Sequence, residues 1–97
     1  MATFITTIRF TPQGLTKIQD TGKRAESFKG AAKKMGCKVM GVYWTLGAFD
    51  GVLIFEAPDE DTATALMLNL ASQGNVQTRT ARAFTETEIE KILAKSK

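Results

Sequence analysis

The chain has 97 residues, 43% of them apolar, with thirteen Lys+Arg against ten Asp+Glu, no histidine and one cysteine. That is the length of one small domain with apolar residues enough for a core, and at this size only about 60–65% of the unfolded surface is buried, so a subunit interface would add to a small net stability. The missing histidine excludes a Ser-His-Asp triad, an HExxH zinc site and histidine-ligated haem from this chain alone, and the lone Cys37 excludes an internal disulfide and suits a reducing compartment.

Residues 3–10 alternate as a strand, with Phe4, Thr6, Ile8 and Phe10 on one face and Thr3, Ile5, Thr7 and Arg9 on the other. In Thr11-Pro12-Gln13-Gly14, Thr11 can cap a short helical turn and Pro12 suits its first position. Gly22 loosens the chain before a helix predicted over 23–35. Its Ala25, Phe28, Ala31, Ala32 and Met35 recur at helical spacing, and Gly36 stops it. Strands over 38–45 and 51–57 follow, joined by a link short enough for an antiparallel hairpin. The second strand is almost continuously apolar, as a central strand covered on both faces would be. Pro58 ends it, and Asp59-Glu60-Asp61 opens a second helix with its acids at the positive end of the dipole. That helix carries a stripe of Ala63, Leu66, Met67, Leu70 and Ala71 and ends at Gly74-Asn75. Residues 76–83 are polar enough for an edge strand. Thr85-Glu86-Thr87-Glu88 is a capping box, starting a last helix that Ile89, Ile92 and Leu93 should dock.

The order is βαββαβ plus a C-terminal helix, the pattern of an α+β, ferredoxin-like single domain over residues 1–97. Two helices cover only one face of its four-stranded antiparallel sheet. The other would expose more apolar surface from the first and third strands than a soluble monomer shows. A homodimer with its sheets face to face, a dimeric α+β-barrel-like assembly, is therefore expected. No run of about 18 apolar residues and no N-terminal signal pattern is present, so no membrane association is expected and the cytoplasm is the default address. Residues 1–40 carry eight basic and two acidic side chains, and residues 41–97 five basic and eight acidic. The basic half reads either as a nucleic-acid footprint or as a solvated helix face bearing Lys23, Lys29, Lys33 and Lys34. No aromatic residue interleaves with these lysines as a stacking platform requires, so a nucleic-acid partner is not expected.

Phe10-Thr11-Pro12-Gln13-Gly14, Lys23-Arg24, Tyr43-Trp44-Thr45-Leu46-Gly47-Ala48-Phe49-Asp50, Glu56-Ala57-Pro58-Asp59, Gly74-Asn75-Val76 and Ala83-Phe84 together resemble the GYD-domain family, over about residues 4 to 90. The family's Gly, Tyr and Asp signature falls on Gly47, Phe49 and Asp50, so the tyrosine hydroxyl is absent here and only its aromatic ring is kept. The resemblance implies a small bacterial or archaeal protein with a dimeric α+β-barrel-like fold and points to no particular reaction.

Among residues that could carry chemistry, Asp50 is either a turn residue bonding nearby amides or an acid, base or polar anchor at a pocket mouth. Glu56 shares parity with Val52 and Ile54. Facing the space between subunits, with its pKa raised, it would be a proton acceptor; at the strand's end it would instead bond Arg9, Arg79 or Arg82. Arg24 is poorly placed for its helix dipole and is either solvated or held by an acidic partner or bound anion. Tyr43 and Trp44 face opposite sides of the sheet, so one can pack under the helices while the other lines the dimer space. The expected ligand contacts are Arg9, Arg24, Tyr43, Trp44 and Phe49, and the candidate catalytic carboxylates are Asp50 and Glu56. Without a histidine base Cys37 is a poor nucleophile. Successive acids at 59–61 diverge around the helix axis, and no phosphate-binding glycine motif occurs, so neither a metal nor a cofactor is expected. These features favour a small homodimer that binds a small, partly apolar ligand or serves as an interaction module. The alternative is a cofactor-independent oxygenase- or isomerase-like enzyme with a carboxylate base in the interdimer cavity.

Overall fold

The computed structural model describes residues 1–97. Strand β1 (Ala2–Phe10) leads through Thr11 into the short helix α1 (Pro12–Thr16), and a 3-10 turn at Ile18–Asp20 runs straight into α2 (Thr21–Lys34). The chain continues as β2 (Lys38–Trp44), β3 (Gly51–Ala57), α3 (Glu60–Ser72), β4 (Val76–Ala83) and α4 (Glu86–Lys95). All pairings are antiparallel, in the order β2-β3-β1-β4. This is the ferredoxin-like α+β layout, with α2 and α3 on one face. The first long helix begins two residues before the expected start because the 3-10 turn hands its hydrogen bonding directly to α2, so Gly22 lies inside the helix.

Local chemistry accounts for the element ends. The α2 C-terminus closes as a Schellman motif: the Cys37 amide donates to the Ala32 carbonyl (2.9 Å) and the Gly36 amide to the Lys33 carbonyl (3.1 Å). Gly36 supplies the required positive φ of 77°. Asp59 caps α3 by accepting from the Thr62 amide at 2.7 Å. The hydroxyl of Thr62, then its amide, holds the Asp59 carboxyl below its ordinary pKa.

The core lies between the helices and one face of the sheet. Phe4 and Phe55 stack with ring centroids 5.4 Å apart, and Leu53, Leu66 and Ala32 are fully enclosed beside them. Thr6, the buried polar residue of β1, shares a 2.8 Å hydrogen bond with Thr80 and donates to the Met67 sulfur, so its burial leaves nothing unsatisfied. Cys37 is part of this core. Burial, then the charge of Asp59, pushes its thiol pKa up, the opposite of what a nucleophile needs.

Two expectations are corrected. Strand β3 is central but covered on one face only: Leu53, Phe55 and Ala57 are buried, whereas Val52, Ile54 and Glu56 are half-exposed on the other. Helix α4 does not dock. None of its residues is buried, and Ile89, Ile92 and Leu93 are 40%, 40% and 55% exposed. The helix leaves the end of edge strand β4 through Phe84-Thr85. The Arg82 guanidinium bonds the Thr3 and Ala83 carbonyls and pairs with Glu88 at 3.3 Å, fixing the first turn of α4. The chain is consequently elongated, 51 × 31 × 18 Å, with a radius of gyration of 14.6 Å. A compact chain of this length would have about 12.5 Å.

Candidate functional site

At one end of the sheet β1 finishes, β2 finishes, β3 begins and β4 begins, and the first turns of α2 lie above them. A cavity of about 70 Å³ sits there, between sheet and α2. Most of its wall is apolar, including Phe10, Phe28, Val42, Leu53 and Leu70, with Arg24 and Asp50 as its charged groups.

The sequence builds this end with interlocking turns. Thr11 caps α1 by accepting from the Gly14 amide (3.1 Å), and its hydroxyl donates to the Gly74 carbonyl (2.6 Å). The Gln13 amide donates to the Gln73 carbonyl and to Asn75 Oδ1, both at 3.0 Å, and the Thr11 amide donates to the Asn75 carbonyl. A Cβ on Gly14 would lie 2.1 Å from the Asn75 oxygen, so only glycine lets the two turns touch. Thr11-Pro12-Gln13-Gly14 and Gly74-Asn75, far apart in sequence, therefore form one clasp beside the cavity.

Asp50 holds the hairpin against β1. Its Oδ2 accepts from the Phe10 amide at 2.8 Å, and its own amide donates to the Ile8 carbonyl at 2.7 Å. Its side chain thus extends the β1–β3 ladder beyond the Ile8–Gly51 pair, which is the turn-residue reading, while the residue also lines the cavity. Arg24 donates to the carbonyls of Lys17 (3.3 Å) and Gly14 (3.2 Å). These bonds explain its place in α2: it ties down the turn ahead of the helix. No carboxylate pairs with it, since the ion pairs of the chain are Lys29–Glu26 and Arg82–Glu88. A half-buried cation thus lines a mostly apolar cavity without forming an ion pair, Asp50 being the one acid on the same wall.

Trp44 and Tyr43 do face opposite ways. The Trp44 indole donates to the Thr21 hydroxyl at 2.9 Å, and Tyr43 stands opposite Val52 on the open face, although both border the cavity. The remaining expected residues lie elsewhere. Phe49 is half-buried in the hairpin, where its carbonyl accepts from the Thr45 hydroxyl, and it does not line the cavity. Arg9 is exposed on the open face opposite Gln77. Glu56 also faces away from the helices. Register sets Thr3 and Lys38 beside it rather than any arginine: Arg9 is about 20 Å further along β1, Arg79 is opposite Thr7, and Arg82 turns to the helix side. Asp50 and Glu56 stand at opposite ends of β3, about 20 Å apart, so the two candidate carboxylates cannot act together. No group of three or more potential metal ligands gathers anywhere in the chain, and no helix is long and apolar enough to cross a membrane.

Thr21, Gln73 and Asn75 complete the cavity and were not anticipated. The signal available for Thr21 was Trp44, whose indole N–H needs an acceptor when it faces the helices.

Fold and cavity together define a ferredoxin-like domain with a small apolar chamber at one sheet end. The chain belongs to the GYD domain family, matched over residues 4–93. It is 32% identical over 90 residues to the glutamine synthetase and cystathionine beta-lyase binding protein of Thermus thermophilus, covering 92% of this chain and 95% of that protein. The fold is similar to that of 5-chloro-2-hydroxyhydroquinone dehydrochlorinase (TftG) from Burkholderia phenoliruptrix, with a TM-score of 0.63, 18% identity and coverage of 88% of this chain and 96% of that one. It is also similar to MtbAldR, with a TM-score of 0.64 and 21% identity, 88% of this chain spanning about half (54%) of that longer one.

Proposed function

We propose that the protein is a homodimeric cytoplasmic binding module whose cavity under α2 receives a small, partly apolar group carrying an anionic or hydrogen-bond-accepting end. One observation carries this reading: Arg24, in no ion pair, on the wall of a mostly apolar chamber that it shares with Asp50. A fixed cation in such a setting favours a carboxylate or similar acceptor, with charge-assisted bonds roughly twice as strong as neutral ones. The cavity holds roughly five to seven water-sized groups, at ~10–15 Å³ each. That suits a branched aliphatic or single-ring group, either a free molecule or one side chain of a larger partner. The second option is favoured by the name of the Thermus relative, a binding protein for two enzymes. The half-exposed apolar row of Ile5, Val52, Ile54 and Tyr43 on the uncovered sheet face supports pairing of two copies.

The enzymatic alternative has less support. Asp50 already spends one oxygen on the Phe10 amide, and no second acid or base faces it across the cavity. Calorimetric titration with isovalerate and with isoamylamine tests the binding reading. The carboxylate should bind and the amine should not, and Arg24→Met should abolish binding while Arg24→Lys retains part of it. Equal binding of both probes, no binding of either, or full binding by the Arg24→Met protein would overturn it.

A further inference from the structure

We propose that α4 is an arm that packs on the second copy of the chain, an inference that rests on the homodimer reading above. Three observations lead to it. First, α4 is built to be a helix: Thr85 and Glu88 form a reciprocal capping box, the Glu88 amide donating to the Thr85 hydroxyl (3.2 Å) and the Thr85 amide to the Glu88 carboxylate (2.9 Å). Yet ten residues standing alone in water are too few for a stable helix, which draws its stability from packing an apolar stripe. Second, that stripe exists and is uncovered. Ile89, Ile92 and Leu93 share one side, with Glu86 and Glu90 beside it, and none of the three is buried. The Arg82 fork on Glu88 and on the Thr3 and Ala83 carbonyls fixes the helix in this outward direction, away from its own sheet.

Third, the open sheet face alone is too small for a stable dimer. Four strands ~4.8 Å apart, with about seven residues each at ~3.3 Å, give a footprint of about 440 Å². A standard interface buries about 800 Å² per partner. In a two-fold dimer each chain gives one α4 face and receives another, and a helix ~15 Å long with a face ~10 Å wide supplies about 150 Å² each time. The two together bring the interface to ordinary size. The apolar stripe on α4 and the bare sheet thus complete one dimer surface.

Sedimentation equilibrium of the full chain, with Ile92→Asp, Ile89→Asp and a chain truncated after Phe84, separates the possibilities. Because α4 meets its own body only through its first turn, at the Arg82–Glu88 pair, and none of its residues is buried, these changes leave the core intact, and an unchanged thermal melt of the dilute protein verifies that. Wild type should be a dimer, and each variant should raise the dissociation constant about tenfold or more, with Glu90→Gln on the helix flank doing far less. Variants that dimerise as tightly as wild type would overturn the arm while leaving the homodimer standing. A wild type that is monomeric at micromolar concentration would overturn both.

Discussion

The two faces of β1 are made from alternate residues of one nine-residue strand, yet they do different work. Phe4, Thr6 and Ile8 point to the helices, where Phe4 stacks on Phe55, Thr6 is fully buried against Thr80 and Met67, and Ile8 reaches the cavity. Thr3, Ile5, Thr7 and Arg9 point to a face that nothing in the chain covers. The helix face is finished within a single copy and carries the candidate site. The open face is half-apolar and unfinished. One strand thus separates a face closed within the chain from the face that the proposed homodimer would cover.

The comparison can be broken in several ways. The largest effect should come from Phe55→Ala, which empties the fully buried centre of the helix face and should cost about 3–5 kcal/mol. Thermal unfolding should fall by about 12 °C or more. Gly14→Ala should cost about 1–3 kcal/mol by forcing apart the clasp with Asn75, and weakened isovalerate binding would show that the clasp also shapes the cavity. Thr85→Ala should remove about 1 kcal/mol from α4 and lower helicity by circular dichroism, with the melting of the undocked body unmoved. Ile54→Asp on the open face should cost the isolated chain about 1 kcal/mol, the span of β propensity, while weakening pairing in sedimentation. The smallest effect is one of pH. The folded-state pKa of Asp59 lies below its unfolded value, so its capping contribution is complete above the ordinary carboxylate range and is lost as pH falls through the folded value. Asp59→Asn should flatten that acid limb in melts taken from neutral to acidic pH.

Much of the fold was legible from periodicity and punctuation. The alternation of β1, the Gly36 stop, the acidic start of α3 and the Thr85–Glu88 box each appear where local chemistry puts them. The opposite orientation of Tyr43 and Trp44 was legible for the same reason: neighbouring strand residues alternate. What sequence could not supply were facts of register and distance. Glu56 meets Lys38 rather than an arginine because of pairings between strands, and the docking of Ile89, Ile92 and Leu93 depends on where α4 points, which the Arg82–Glu88 pair decides. The candidate site was legible residue by residue, in Arg24, Trp44 and Asp50, but not in its location. Nothing local in the chain shows that these three line a chamber under α2 while Arg9 and Glu56 face the other way.

The most direct test is a methyl NMR experiment on one labelled sample, following Ile5, Ile54 and Val52 on the open face and Ile8, Val42 and Leu70 at the cavity. Dilution should move the open-face signals alone, and isovalerate should move the cavity signals alone. Cavity methyls that respond to dilution, or open-face methyls that respond to the carboxylate, would contradict the division of labour between the two faces.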